Sequence, residues 1–236
     1  MYAMKVVSDP TAIRSKEPKV ASDPNPQRAL ARYREHAAGY DASALRTLPL
    51  RYRTIWNLAL EPGDAVLDVA CGTGLSFALI EEAIGPSGRL VGVELSPEMA
   101  ARGQARIERA GWTNAELLVG SMDDADLAPP RGPFDAVAFN FTHDVLQSDA
   151  ALANIMKACK PGARVAVAGS KLLPWYLAPF NAYVRWNNAP YLTTQRGLRK
   201  PWGRLERYVP DLAITPAFFG ACYLAKGIYR GARGEG

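Results

Sequence analysis

The chain has 236 residues, of which 48% are hydrophobic and 22% charged, and a formal net charge of +5. That size and composition fit one ordinary soluble domain with room for a small cap, and exclude a disordered or collagen-like chain. Three scattered cysteines (Cys71, Cys159, Cys222) make no disulfide framework and no CxxC pair, and two histidines leave little for a His-based metal centre. A reducing cytoplasmic setting without a metal is expected. Met1–Pro10 holds no apolar signal region, and the longest apolar-rich run, Leu172–Tyr183, is too short to span a bilayer and is broken by Pro174 and Pro179. Arginine outnumbers lysine twenty to eight, a bias expected of a GC-rich bacterial genome.

The net charge hides an asymmetry. Up to Glu61 there are ten Lys/Arg and six Asp/Glu, and from Pro62 to Gly162 seven against fourteen. From Ala163 onward there are eleven against three. Basic flanks around an acidic middle suit an anionic substrate, an anionic membrane surface or nucleic acid, or are simply a solvated basic face.

In chain order, residues 1–25 read as a polar, proline-containing arm. Residues 26–60 read as a helical lid. Leu30, Tyr33, Ala37 and Tyr40 recur at helical spacing, and a second helix over Leu50–Leu60 is stopped by Glu61-Pro62-Gly63. Residues 61–236 then form the main domain. Ala65–Val69 is a strand, Leu75–Ile84 a helix, Leu90–Val93 a strand. Ser96 caps a helix that starts at Pro97 and ends at Ala110-Gly111. Glu116–Val119 and Phe134–Phe139 are strands, Asp149–Cys159 is a helix stopped by Lys160-Pro161-Gly162, and Arg164–Ala168 is a strand. This alternation predicts an α/β, Rossmann-like, doubly wound sheet. An aromatic, proline-rich cap interrupts it at about 171–210, and two β-rich runs meeting at Gly220 predict an antiparallel C-terminal hairpin on a mostly parallel sheet.

The sharpest motif is VLDVACGTGLSF, Val66–Phe77. A buried strand ends at Asp68-Val69, a turn with Gly72 and Gly74 follows, and a helix starts. Such a loop lets a ligand approach the backbone at the carboxyl end of a strand. The dinucleotide fingerprint fails, because its third small position falls on Phe77; the GxxxxGK[ST] phosphate loop is absent as well. A carboxylate at Asp68 would repel a diphosphate but suits an ammonium or sulfonium. Glu94, twenty residues after Gly74, can accept both hydroxyls of a ribose. At the next strand end, Asp123 can accept a hydrogen bond from the adenine amino group, with Asp124 and Asp126 as neighbouring alternatives, and Met122 can cover the ring. A cationic amino-acid end, a ribose and an adenine together describe S-adenosylmethionine.

With VGVELSPEM (Val91–Met99), GSMDD (Gly120–Asp124) and FDAVAFNFTHDVL (Phe134–Leu146), the loop resembles the class I S-adenosylmethionine-dependent methyltransferases, and most closely the quinone or phospholipid N-methyltransferase branch. The match runs from roughly Tyr33 to Ala168. The resemblance implies that Asp68 helps hold the methionine ammonium and that Ala70, Cys71, Gly72 and Gly74 line the methionine moiety. It places Glu94 at the ribose, Met122 and Asp123 at the adenine, Leu95 among the cofactor contacts, and Asn140 beside the methionine through its backbone. Tyr40 matches a tyrosine that closes over the cofactor, or else only packs. Ala70 departs from the commoner glycine. Cys71 reads as a small loop residue, not a nucleophile.

Methyl transfer from a sulfonium is an in-line displacement that depends mainly on positioning, and needs a base only when the acceptor sheds a proton. His143, after the fourth strand, is the candidate for that base; the alternative is a packing role at the helix start. His36 is a second, weaker candidate. DNA amino-methylation is disfavoured because Asn140-Phe141-Thr142-His143 lacks the (D/N)PP(Y/F) prolines, and cytosine C5 methylation because no cysteine follows that strand. RNA stacking on the cap stays open. Trp175, Tyr176 and Phe180 are expected to roof the site and bind the acceptor. The cap fits a hydrophobic small molecule, a membrane interface, a cage for a quaternary ammonium, or a self-packed core that supports a homodimer. Methyl transfer to an oxygen or nitrogen of a hydrophobic small molecule is the expected activity, with S-adenosylhomocysteine as product. Its rivals are methylation of a lipid headgroup or quinone at a membrane, cofactor binding without turnover, and aminopropyl transfer.

Overall fold

The computed structural model describes Asn25, residues 45–189 and residues 192–231. The expectations for the N-terminal arm, for most of the lid, and for His36 and Tyr40 fall outside the described residues. After a turn at Leu45–Thr47 the elements are α1 (Leu48–Asn57), β1 (Ala65–Val69), α2 (Phe77–Ile84), β2 (Arg89–Glu94), α3 (Pro97–Ala110), β3 (Ala115–Val119) and β4 (Phe134–Asn140). There follow α4 (His143–Leu146), α5 (Asp149–Lys157), β5 (Cys159–Ser170), α6 (Ala178–Asn188), β6 (Ala213–Ala217) and β7 (Cys222–Ile228).

The seven strands lie in the order β3-β2-β1-β4-β5-β7-β6. The first five run parallel, and β7 is antiparallel to both β5 and β6. This is the doubly wound sheet with an antiparallel C-terminal hairpin that the alternation predicts. Strand order reverses between β1 and β4, and ligands of such sheets bind in the crevice outside the strand ends at that point.

Alternate residues of each strand face opposite sides. Leu67, Val69, Val91, Val93, Val137 and Phe139 pack with α5 through Leu152 and Ile155. Val66, Leu90, Ala136 and Ala138 pack on the other side with Ile55 of α1, Phe77 and Ile80 of α2, and Ile107 of α3. Because both faces are covered, β1 is buried along its whole length. α1 lies on the sheet against β4, β5 and β7, with Leu50, Arg51, Thr54 and Ile55 turned inward.

α3 has its predicted bounds. The Ser96 hydroxyl accepts the Met99 N–H at 3.3 Å, Pro97 opens the helix, and Gly111 closes it at φ +70°. The helix predicted over Asp149–Cys159 is two residues shorter. Its supposed stop, Lys160-Pro161-Gly162, belongs to β5, where Phe134 pairs with Cys159 before a register shift and Gly162, at φ +92°, donates its N–H to the Tyr229 carbonyl at 2.7 Å. A bulged strand end accommodates both residue types.

Candidate active site

The glycine loop leaves β1 and enters α2 in a conformation that the sequence spells out. Gly72 and Gly74 lie at φ +62° and +74°, and a side chain at Gly74 would sit 2.6 Å from the Phe77 ring. Ala70 also lies in the left-handed region, at φ +47°. An alanine there is strained where glycine would not be. Phe77, too large for a dinucleotide fingerprint, is accommodated from the other side. Gly92 of β2 faces it, and a Cβ at Gly92 would stand 2.8 Å from the Phe77 ring and 2.9 Å from the Cys71 sulfur. The small residue at this crossing is on the strand, not the helix.

Two residues that carry no obvious motif brace the loop from α3. Gly103 permits close packing, since a Cβ there would meet Leu117 at 2.6 Å and the Gly72 carbonyl at 3.4 Å. Arg106 Nε donates to the Thr73 carbonyl at 3.0 Å. One glycine in a helical pattern does not announce such a role.

Asp68 is buried at the end of β1, and neither carboxylate oxygen has a hydrogen-bond partner. Burial raises its carboxyl from the usual 3.8 to about 7, against the opposing field of Arg51; the Glu94 charge adds to the rise, and the nearby Ser76 hydroxyl reduces it. Asn140 closes the same corner by donating Nδ2 to Ser76 Oγ at 3.3 Å, while its own Oδ1 is buried without a partner. A buried anion with open lone pairs is costly unless a cation meets it. Such a corner fits the ammonium of an amino-acid ligand.

Glu94, also buried, accepts the Gly72 N–H at 2.9 Å and the Ser96 N–H at 2.8 Å, one on each oxygen. Each oxygen keeps a second lone pair, as a ribose diol requires. Beyond it opens a largely apolar pocket of about 80 Å³. Ala70, Leu95, Met122 and Asp123 share its wall with Asp144 and Thr193. Asp123 is exposed, and its carboxylate accepts from the Ser121 and Ser148 hydroxyls. The residues present therefore fit S-adenosylmethionine: an anionic corner, a diol acceptor, and an apolar slot closed by Met122 with a carboxylate at its rim. Cys71 is buried and its thiol is pushed far up by burial, so it is no nucleophile.

His143 and Asp144 sit at the start of α4. His143 Nε2 lies 2.9 Å from the Arg196 carbonyl, while Nδ1 is buried without a partner. The ring therefore carries its hydrogen on Nε2, and burial holds its pKa below the usual 6.5. Asp144 Oδ2 accepts both the N–H and the hydroxyl of Thr193. Together they tie the segment after α6 to the pocket mouth. Sequence reading missed Asp144 and Thr193, because nothing local signals a pairing across 49 residues.

Trp175, Tyr176 and Phe180 do not roof the pocket. They are 78%, 65% and 62% exposed and line none of it. Among the described residues no helix is long and apolar enough to cross a membrane.

Residues 66–162 match a protein family described as a methyltransferase domain. A demethylmenaquinone methyltransferase of Listeria monocytogenes is 30% identical over 139 residues, 58% of this chain and 58% of that one. Among solved structures, geranyl diphosphate C-methyltransferase of Streptomyces coelicolor superposes with a TM-score of 0.62 at 18% identity, covering 78% of this chain and 79% of that one. A putative methyltransferase of Haloferax volcanii, solved with the Trm112 activator, gives 0.63 at 17% identity over 87% and 99%. Over residues 66–162 the chain is thus similar to a methyltransferase domain, and its fold is that of solved methyltransferases. It spans 58% of the length of the Listeria relative.

Proposed function

We propose that the chain is a cytoplasmic enzyme that methylates an oxygen or nitrogen of a hydrophobic small molecule by in-line displacement. S-adenosylmethionine would supply the electrophilic methyl group. Asp68 and Asn140 would hold the amino-acid end, Ala70, Cys71, Gly72 and Gly74 the methionine chain, Glu94 the ribose, and Met122 and Asp123 the adenine, with Leu95 a further cofactor contact. The observation that carries this reading is the pair of open oxygens on buried Asp68, set beside the glycine loop and next to an apolar pocket. A buried carboxylate whose oxygens are uncommitted suits a cationic ligand group, which would add to the field of Arg51 in favouring its ionised form.

If the acceptor is a hydroxyl, His143 Nδ1, buried beside the pocket-lining Asp144 and not engaged by the Arg196 carbonyl, is the nitrogen that would take its proton. The demethylmenaquinone methyltransferases among the relatives support a hydrophobic acceptor. A second reading, in which the acceptor is a lipid headgroup or quinone reached at a membrane, is favoured by the exposed aromatic side chains of the cap.

The test is turnover. Purified protein with S-adenosylmethionine and a panel of hydrophobic hydroxyl- and amine-bearing acceptors should release S-adenosylhomocysteine and a product one methyl heavier, methylated on oxygen or nitrogen by NMR. Cofactor binding without turnover on any class would leave a binding protein. Methylation on carbon would overturn the choice of atom.

A further inference from the structure

The helix α6 is built the wrong way round for a globular protein. Its inward face offers Val184 and Asn181. Asn181 fixes the helix by polar bonds, accepting the Leu173 N–H at 2.7 Å and donating to the Leu173 carbonyl at 3.0 Å. Its large apolar residues point outward: Phe180, Tyr183 and Trp186, three apart, are 62%, 62% and 74% exposed. That spacing sets them on one stripe of the helix. Just before the helix Trp175 and Tyr176, edge to face at 6.0 Å, are exposed as well.

The tip of the C-terminal hairpin lies at the foot of the same region. The Lys171 N–H donates to the Ala221 carbonyl at 2.9 Å, and Gly220 stands against Leu173. There Phe219 is fully exposed with φ +56°, a backbone conformation that a bulky residue adopts only at a cost. The segment that carries these aromatics is basic in sequence, although Lys200 pairs with Glu206 and both Arg204 and Arg207 pair with Asp149. Residues 171–207 hold seven Lys/Arg and a single acid, Glu206. Arg185, Arg199 and Lys200 are exposed.

We propose that this face, the aromatic stripe of α6 with the hairpin tip, docks on the surface of an anionic lipid bilayer. Aromatic side chains with polar edges partition to the headgroup level, and lysine and arginine beside them are attracted to anionic lipid. A second copy of the chain is a poorer occupant, because a twofold contact would bring two patches of like charge together. Thr193, beyond α6 in the same segment, lines the pocket mouth, so docking brings the pocket close to whatever is dissolved in the membrane. The purpose of docking rests on the hydrophobic-acceptor reading. The docking itself is measured without acceptor or cofactor, so either can fail while the other stands.

The experiment is co-flotation of the full chain with vesicles of phosphatidylcholine alone and of phosphatidylcholine mixed with phosphatidylglycerol. The anionic vesicles should carry the protein, and high salt should release most of it. The double substitution Tyr183→Ser, Trp186→Ser should lower partitioning at least about tenfold. Arg199→Glu, Lys200→Glu should lower it on anionic vesicles only. The aromatic variant should melt near the wild-type temperature, since Tyr183 and Trp186 are largely exposed, and the charge variant slightly lower, since Lys200 pairs with Glu206. Three results overturn the proposal: no binding to anionic vesicles, binding unchanged by the aromatic pair, or sedimentation showing a dimer that the aromatic pair abolishes while vesicle binding stays intact. Tight RNA binding with no vesicle binding would assign the face to nucleic acid instead.

Discussion

Glu94, at the end of β2, holds the glycine loop through the Gly72 N–H at 2.9 Å. The same carboxylate fixes the start of α3 through the Ser96 N–H at 2.8 Å. One side chain therefore sets the position of two ligand-facing segments and keeps lone pairs for a ribose. Glu94→Ala leaves two backbone donors without partners, each costing about 1–3 kcal/mol if buried. The variant should melt several degrees lower and bind S-adenosylmethionine at least about tenfold more weakly, one lost hydrogen bond to a charged group being worth about that factor. Thermal denaturation and calorimetry check the two effects separately.

Ala70 should give the opposite sign. Its φ of +47° is unfavourable for any residue with a Cβ. Ala70→Gly should stabilise the fold by up to about 1 kcal/mol, the left-handed strain relieved less the added entropy of the unfolded chain. A denaturant midpoint that rises with an unchanged slope is the expected result.

The pH dependence of stability follows from Asp68. Its folded-state pKa of about 7 lies above the ordinary 3.8. The folded protein therefore binds this proton more tightly than the unfolded chain, and stability falls as pH rises between those values. Glu94, also raised by burial, acts in the same sense. His143, held low, acts in the opposite sense and costs stability where acid protonates it in the unfolded chain first. Between about pH 4 and pH 8 the ligand-free wild type should lose on the order of 2–4 kcal/mol that Asp68→Asn retains. Affinity for a ligand bearing an ammonium should rise with pH through the same range in the wild type alone. Melting and titration across pH test both.

His143 has two separable jobs. Its Nε2–H donates to the Arg196 carbonyl, and its Nδ1 is a buried acceptor without a partner. His143→Gln can supply a donor to Arg196 but no base, whereas His143→Ala supplies neither. On a hydroxyl acceptor both should lose at least about tenfold in turnover, with only the alanine variant losing about 1 kcal/mol of stability. Full turnover in the glutamine variant would make His143 structural.

Much of this was legible in the sequence because local chemistry decides it. Ser96-Pro97 and Gly111 bound α3 by capping alone, and the run Val66–Phe77 announces strand, turn and helix in order. Pro161-Gly162 misled because those residues usually end elements, and only the pairing with β4 and β7 shows a strand passing through them. The cap misled differently. Its composition gives apolarity but no direction, and α6 turns Phe180 and Trp186 away from the pocket that Thr193 helps to line. Asp144, Gly103 and Arg106 were silent because their partners are distant in sequence.

The most direct test of the account is calorimetric titration of the wild type and of Asp68→Asn with S-adenosylmethionine and with S-adenosylhomocysteine. Both ligands carry the same amino-acid end, so the wild type should bind both and the variant should bind both more weakly by a similar factor. Absence of binding by the wild type, or equal binding by the variant, would contradict the assignment of this corner as the cofactor's ammonium site.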